Sequence, residues 1–179
     1  KYSYIAKKFG ASIPFLRPKY ISGSDSTDFK WVDFTLKKID KKFDFFCILR
    51  PTNPFRSKKM ILSAFKKLKS FPNAHSIRAV ELTKDHPYKM WKIKENYIIP
   101  LFNKTLNNQP VHSNQYASLP EILKQNASLE IAKTSVLKKY KNISGKKILP
   151  YFTNKYEGFD INYPIDFELA KIIAKKFFR

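Results

Sequence analysis

Stretches with helical spacing alternate with short apolar runs through the first 80 residues, and this alternation limits the possible folds more than any other feature of the chain. Tyr2, Ile5, Ala6 and Phe9 share one face of a predicted helix, with Gly10 where a C-terminal cap belongs. Ser12–Leu16 (SIPFL) reads as a short strand that Arg17-Pro18 ends. The polar loop Ser22–Thr27 then leads into an amphipathic helix marked by Phe29, Val32, Leu36, Ile39 and Phe43. Phe45–Leu49 (FFCIL) is an unbroken apolar run, the pattern of a central strand covered on both faces. Ser57 is placed to cap a third helix with an apolar face of Ile61, Ala64, Phe65 and Leu68, and Ser76–Val80 reads as the next strand. Helix and strand in alternation predict an α/β fold with a mostly parallel sheet.

The rest of the chain divides by composition. Residues 1–85 form the predicted α/β core. Residues 86–155 are rich in Asn, Gln, Pro and Tyr, with short strand candidates at Trp91–Ile93 and Tyr97–Ile99, and read as an inserted lobe. Residues 156–179 return to the core and end in a helix. There Pro164 suits the first turn, Asn162 lies near the N-cap, and Phe167, Ala170, Ile173, Ala174 and Phe177 form the expected buried face.

With 43% apolar and 16% aromatic residues among 179, the chain can bury a sizeable core, which excludes an intrinsically disordered protein. No apolar run approaches the roughly 18 residues of a membrane span. A single cysteine, Cys47, excludes an intramolecular disulfide framework and reads as a core residue of its strand. His75, His86 and His112 lack metal-ligand spacing, and nothing at the start reads as a signal peptide, so a cytoplasmic protein is expected. The net charge of +21 has two readings, a solvated lysine-rich surface or a field that attracts anions. Only five of the 35 basic residues are arginine, and there is neither a zinc signature nor an aromatic RNA platform, so nucleic acid is not the expected partner.

Ligands of open α/β sheets bind beyond the carboxyl ends of the strands. Arg17 follows the first predicted strand, and Arg50-Pro51-Thr52-Asn53-Pro54-Phe55-Arg56 follows the second, so three of the five arginines fall at two strand ends. Guanidinium forks onto phosphate or carboxylate, although the same segments also read as plain turns. Gly158-Phe159-Asp160-Ile161-Asn162 precedes the last helix; its carboxylate suits a divalent metal or a capping arrangement. With four glycines in all, no Gly-rich phosphate loop is present.

Taken in order, IAKKFGASIPFLRP, SGSDSTDFKWVDFTLKKI, ILRPTNPFRS, DHPYKMW, LPEILKQNASLEIAKT and YEGFDINYPIDFELAKII resemble the acylneuraminate cytidylyltransferase family, the CMP-sialic acid synthetases, over nearly all of the chain. The variant with LRPT, QNASLEIA and GFDIN is similar to a bacterial branch. The resemblance implies a three-layer, Rossmann-like nucleotide-diphospho-sugar transferase fold with a dimerisation lobe, and hence a homodimer. It implies a nucleotidyltransferase that joins CTP to an acidic nine-carbon sugar with Mg²⁺, giving a CMP-sugar and pyrophosphate. By position, Arg17 contacts the nucleotide with a catalytic role, and the loop from Ser22 borders the base. Arg50, Thr52, Asn53 and Arg56 line the sugar site, Lys89 faces the acidic sugar, and Asn126 lies in the lobe that closes the pocket. Asp160 ligates Mg²⁺ as the second catalytic residue, with Asn162 beside it.

Departures from the family pattern narrow the expectation. Arg50 stands where Gln is common, Asn162 replaces the second metal-site Asp, and Ser24 falls near an Asp of the base loop. Tyr116 aligns with an Arg that meets the sugar carboxylate, and Glu130 aligns with a Tyr of the sugar lobe. A legionaminic- or pseudaminic-type acid is therefore expected over plain sialic acid. The family's opening strand and its phosphate-cradling loop have no counterpart here, so the chain is expected to be an N-terminally truncated fragment, inactive alone. The alternatives are a basic nucleic-acid-binding protein and a degenerate, non-catalytic dimerisation protein.

Overall fold

The computed structural model describes residues 2–39 and 41–177. It is a mixed α/β structure. In chain order the main elements are α1 (Tyr2–Lys8), α2 (Asp28–Lys38), β1 (Phe45–Ile48), α3 (Lys58–Lys69), β2 (Ser76–Leu82), β3 (Trp91–Lys94), β4 (Tyr97–Pro100), β5 (Thr105–Leu106), β6 (Gln109–Pro110), β7 (Leu123–Lys133), α4 (Ser135–Tyr140), β8 (Ile148–Phe152) and α5 (Pro164–Phe177). Among the described residues, no helix is long and apolar enough to cross a membrane.

Four strands form one sheet in the order β1-β7-β2-β8. β1 runs antiparallel to β7, with Phe45 opposite Lys133 and Ile48 opposite Glu130. Backbone bonds Lys133 N–H to His75 O and Thr83 N–H to Ile122 O, both 3.0 Å, give β7 and β2 opposite senses. His75 N–H to Lys147 O and Thr153 N–H to Val80 O give β2 and β8 the same sense. The sheet is therefore mixed. β3–β4 and β5–β6 are separate antiparallel hairpins. Asn107 and Asn108, with φ of 53° and 58°, make the two-residue turn of the second, a conformation Asn tolerates well.

The chain divides into two compact units. One comprises Lys1–Leu49, Lys58–Arg78 and Leu129–Leu149; the other comprises Arg50–Ser57, Ala79–Ser128 and Pro150–Arg179. In the first unit, Val32, Ile48, Ala132, Val136 and Leu137 are buried together, with Phe29, Trp31 and Phe46 packed on them. In the second, Phe55, Ala170 and Ile173 form a smaller core with Tyr156, Phe159 and Ile161.

Helix ends follow local chemistry. After α1, Ala11 N–H reaches Ala6 O and Gly10 N–H reaches Lys7 O, a Schellman arrangement with Gly10 at φ 87°. At the start of α5, the Asp166 carboxylate accepts the N–H groups of Asn162 (2.9 Å) and Tyr163 (2.8 Å), so this acid is a capping residue.

Several expectations need correction. Ser12–Leu16 forms no strand: no described strand lies beside it, and Pro14 and Pro18 remove donors from any ladder. FFCIL does form β1, at the edge of the described sheet, and Cys47 is exposed instead of in the core. Of the expected α5 face, Ala170 and Ile173 are buried while Phe167 and Phe177 stay about half exposed.

Candidate functional site

The loop after β1 and the segment before α5 are tied together within the second unit. Asn53 is 1% exposed, and its Nδ2 donates to Phe159 O at 3.0 Å. Ile161 N–H donates to Thr52 O at 2.9 Å. Arg56 Nη1 donates to Arg50 O (2.8 Å) and to Ser128 O (3.1 Å), so its guanidinium braces the loop against the end of the strand segment that carries Asn126. These bonds fix the course of Gly158–Asn162.

That segment forms one wall of a cleft of ≈ 520 Å³. Asn126, Asp160 and Asn162 line it, together with Glu81, Lys124, Lys155, Tyr156 and Gly158. Two of its side chains carry buried oxygens with no hydrogen-bond partner, Asn126 Oδ1 and Asp160 Oδ1. Such atoms are rare in folded proteins and expensive to leave unsatisfied, which makes them markers of a ligand position. Asn126, 6% exposed, donates through Nδ2 to Thr153 Oγ1 (2.8 Å) and Glu81 Oε2 (3.3 Å). Glu81 Oε1 also pairs with Lys124 Nζ at 3.0 Å. The cleft thus mixes lysine ammoniums with acceptor oxygens, a surface suited to a polyhydroxylated anion. A second cavity, ≈ 650 Å³ beside Phe55, Tyr156 and Phe177, is mostly apolar, with Lys155 and Glu157 also on its wall.

Asp160 is the residue here that could hold a divalent metal. Its Oδ2 accepts from Asn162 Nδ2 at 3.2 Å, and its Oδ1 is the orphan atom. Among the described residues, no three His, Cys, Asp or Glu side chains converge as a ligand set. Mg²⁺ needs no such cage, since it is commonly held by one or two carboxylates plus substrate phosphates and water. A single carboxylate is within the range of protein donors that Mg²⁺ uses.

The remaining expected site residues lie elsewhere. Arg17 and Ser22 belong to the first unit, where Arg17 lies 5.7 Å from the Trp31 ring centroid and the Ser22 hydroxyl donates to Pro18 O at 2.8 Å. Lys89 does not line the cleft: its ammonium donates to His112 O (2.8 Å) and to Asn114 O, with the Tyr116 ring 5.5 Å away. Glu130 pairs with Arg78 at 2.6 Å, both largely buried. His86 accepts Tyr88 N–H on Nδ1 and so donates from Nε2 to Pro120 O, a satisfied structural histidine. His75 Nδ1 accepts the N–H groups of Lys146 (2.9 Å) and Lys147 (3.0 Å). Desolvation, and then the charges of Lys133, Lys139 and Lys147, hold its pKa below the ordinary 6.5.

Sequence reasoning missed Glu81, Lys124 and Thr153. A lone Glu or Lys in a lysine-rich chain reads as solvated surface, and their partners are distant in sequence. Gly158 carried the one available signal, as part of GFDIN. An ideal Cβ there would lie 2.5 Å from Glu81 Oε2, 2.9 Å from Thr153 Oγ1, and closer still to Asn126 Nδ2. The cluster therefore requires glycine.

No protein-family model matches the chain. It is similar to the N-acylneuraminate cytidylyltransferase of Escherichia coli O18:K1:H7 (strain RS218 / NMEC), with 26% identity over 178 residues. That alignment covers 98% of this chain, which spans 40% of the length of the relative.

Proposed function

We propose that this chain carries the sugar-acid and metal-binding part of a cytidylyltransferase, a nucleotidyltransferase that activates an acidic nine-carbon sugar with CTP. The observation that carries the reading is the cleft in which Asn126 and Asp160 present buried, unpartnered oxygens beside lysines. The similarity to the curated relative over 98% of the chain supports the same class. In the proposed reaction the anomeric hydroxyl of the sugar attacks the α-phosphorus of CTP. The new O–P bond forms as the α–β bond breaks, and pyrophosphate leaves.

The chain's own residues mainly position and neutralise. The Asn53–Phe159 and Thr52–Ile161 bonds hold Asp160 in place, and Asp160 with Asn162 beside it is the proposed Mg²⁺ ligand. Bound there, Mg²⁺ would neutralise phosphate charge in the transition state. Arg17 and the loop from Ser22 are the proposed nucleotide contacts. Arg50 and Arg56 shape the sugar loop, and Lys89 orders the neighbouring segment through backbone carbonyls.

The proposal extends to a legionaminic- or pseudaminic-type acid, a three-layer Rossmann-like core and a cytoplasmic homodimer. The apolar residues of the β3–β4 hairpin, Ile93, Tyr97 and Ile98, are 81%, 73% and 63% exposed, which supports the dimer. The test is pyrophosphate release and sugar binding with CTP, Mg²⁺ and a panel of nine-carbon keto acids. Turnover or binding selective for 5,7-diacylamido acids supports the reading. Turnover of N-acetylneuraminate alone overturns the sugar assignment, and indifference to every acid overturns the class.

A further inference from the structure

The hydrogen-bond network around Asn126 fixes which end of its amide a ligand meets. Glu81 is ion-paired with Lys124, and an ionised carboxylate only accepts, so Glu81 Oε2 demands the N–H side of the amide. The Thr153 hydroxyl accepts from the same Nδ2 at 2.8 Å, with its own hydrogen free to turn toward Val80 O at 3.3 Å. Rotating the amide by half a turn would set Oδ1 against the Glu81 carboxylate, which can only accept. The Gly158 backbone closes in on the same atoms, with no room for a Cβ between them. Both Nδ2 hydrogens are therefore committed. Asn126 lines the cleft, and its Oδ1, buried and without a partner, is the atom of the amide left for a ligand.

We infer that Glu81 and Thr153 are positioning residues that lock Asn126 as a fixed acceptor, so that the cleft selects a ligand bearing an O–H or N–H donor at that point. This inference rests on the sugar reading and deepens it: a hydroxyl or acylamido N–H of the acid meets Asn126, and its carboxylate sits elsewhere in the cleft. A group lacking a donor leaves a buried carbonyl unpaired, and a site built to pair a donor discriminates strongly against such an analogue.

The lock is tested in the 179-residue chain with N126D, E81Q, the double variant N126D/E81Q, and N126L. N126D replaces the N–H side by an oxygen that faces the Glu81 carboxylate. In the double variant the amide introduced at position 81 donates to the carboxylate introduced at position 126, and the second oxygen at position 126 is again left as an acceptor. The expected result is a melting-temperature loss of about 3 °C or more for N126D, recovered in the double variant. Binding of N-acetylneuraminate or its 5,7-diacetamido counterparts, measured by calorimetry, should weaken about tenfold or more in N126D and N126L and return in the double variant. An N126D loss of equal size in the wild-type and E81Q backgrounds overturns the lock. Unchanged binding by N126L overturns the donor position. A wild-type chain that binds none of these acids overturns the sugar reading, and the melting comparison then still decides whether Glu81 locks Asn126.

Discussion

Gly158→Ala should destabilise the chain through one local clash. Gly158 has an ordinary φ, so the change brings no backbone strain; only the added methyl matters. That methyl would fall 2.5 Å from Glu81 Oε2 and 2.9 Å from Thr153 Oγ1. The Glu81 carboxylate can swing toward water, losing a half-exposed pair with Lys124 worth under ~1 kcal/mol. Asn126 cannot move as cheaply: it is 6% exposed and its Nδ2 bonds would break inside the protein. Each lost bond removes about 1 kcal/mol, and overpacking typically adds about 1–3 kcal/mol. Allowing for relaxation, the expected loss is about 2–3 kcal/mol, or roughly 5–10 °C of melting temperature for a chain of this size. Urea unfolding followed by circular dichroism measures it, with Gly23→Ala as control, since a Cβ at Gly23 meets nothing within 4 Å. A Gly158→Ala variant within ~0.5 kcal/mol of the control would refute the close-packed cluster.

Other consequences follow from single contacts. The depressed pKa of His75 means that the unfolded chain binds the proton more readily. Its contribution to stability is therefore full above the ordinary 6.5 and falls as pH drops below that value toward the folded pKa. Urea midpoints measured from about pH 8 to about pH 5 should show this slope, and His75→Gln should flatten it. Lys141→Gly should stabilise by about 1 kcal/mol, because Lys141 caps α4 in a left-handed conformation at φ 53° that glycine adopts freely; thermal denaturation would detect it. Lys89→Met should cost about 1–3 kcal/mol by leaving the His112 and Asn114 carbonyls without their ammonium donor, with amide exchange quickening near Val111–Asn114.

The sequence revealed helix ends better than sheet positions. Gly10, Pro164 and Asp166 act through their nearest neighbours, so their roles can be read locally. FFCIL reads as a strand, yet nothing in five residues shows whether each face of it is covered, and Cys47 lies on an uncovered part. β7 escaped notice because Lys124, Gln125, Asn126, Ser128 and Glu130 break its apolar pattern. Those polar groups are satisfied by partners remote in sequence, as when Glu130 meets Arg78 and Asn126 meets Glu81, 45 residues away. The cleft shows the same division. Asp160 and Asn162 stand out as a motif, whereas Glu81 and Thr153 gain meaning only from the side chain they orient.

The most direct test of the account is a nitrogen-15 NMR titration of the 179-residue chain with N-acetylneuraminate and its 5,7-diacetamido counterparts. The account predicts shifts concentrated at the cleft, in Glu81, Lys124, Asn126, Lys155, Tyr156 and Gly158–Asn162, including the Asn126 side-chain amide. An unchanged spectrum with every acid, alongside broad shifts across the lysine-rich surface with a single-stranded oligonucleotide, would contradict it.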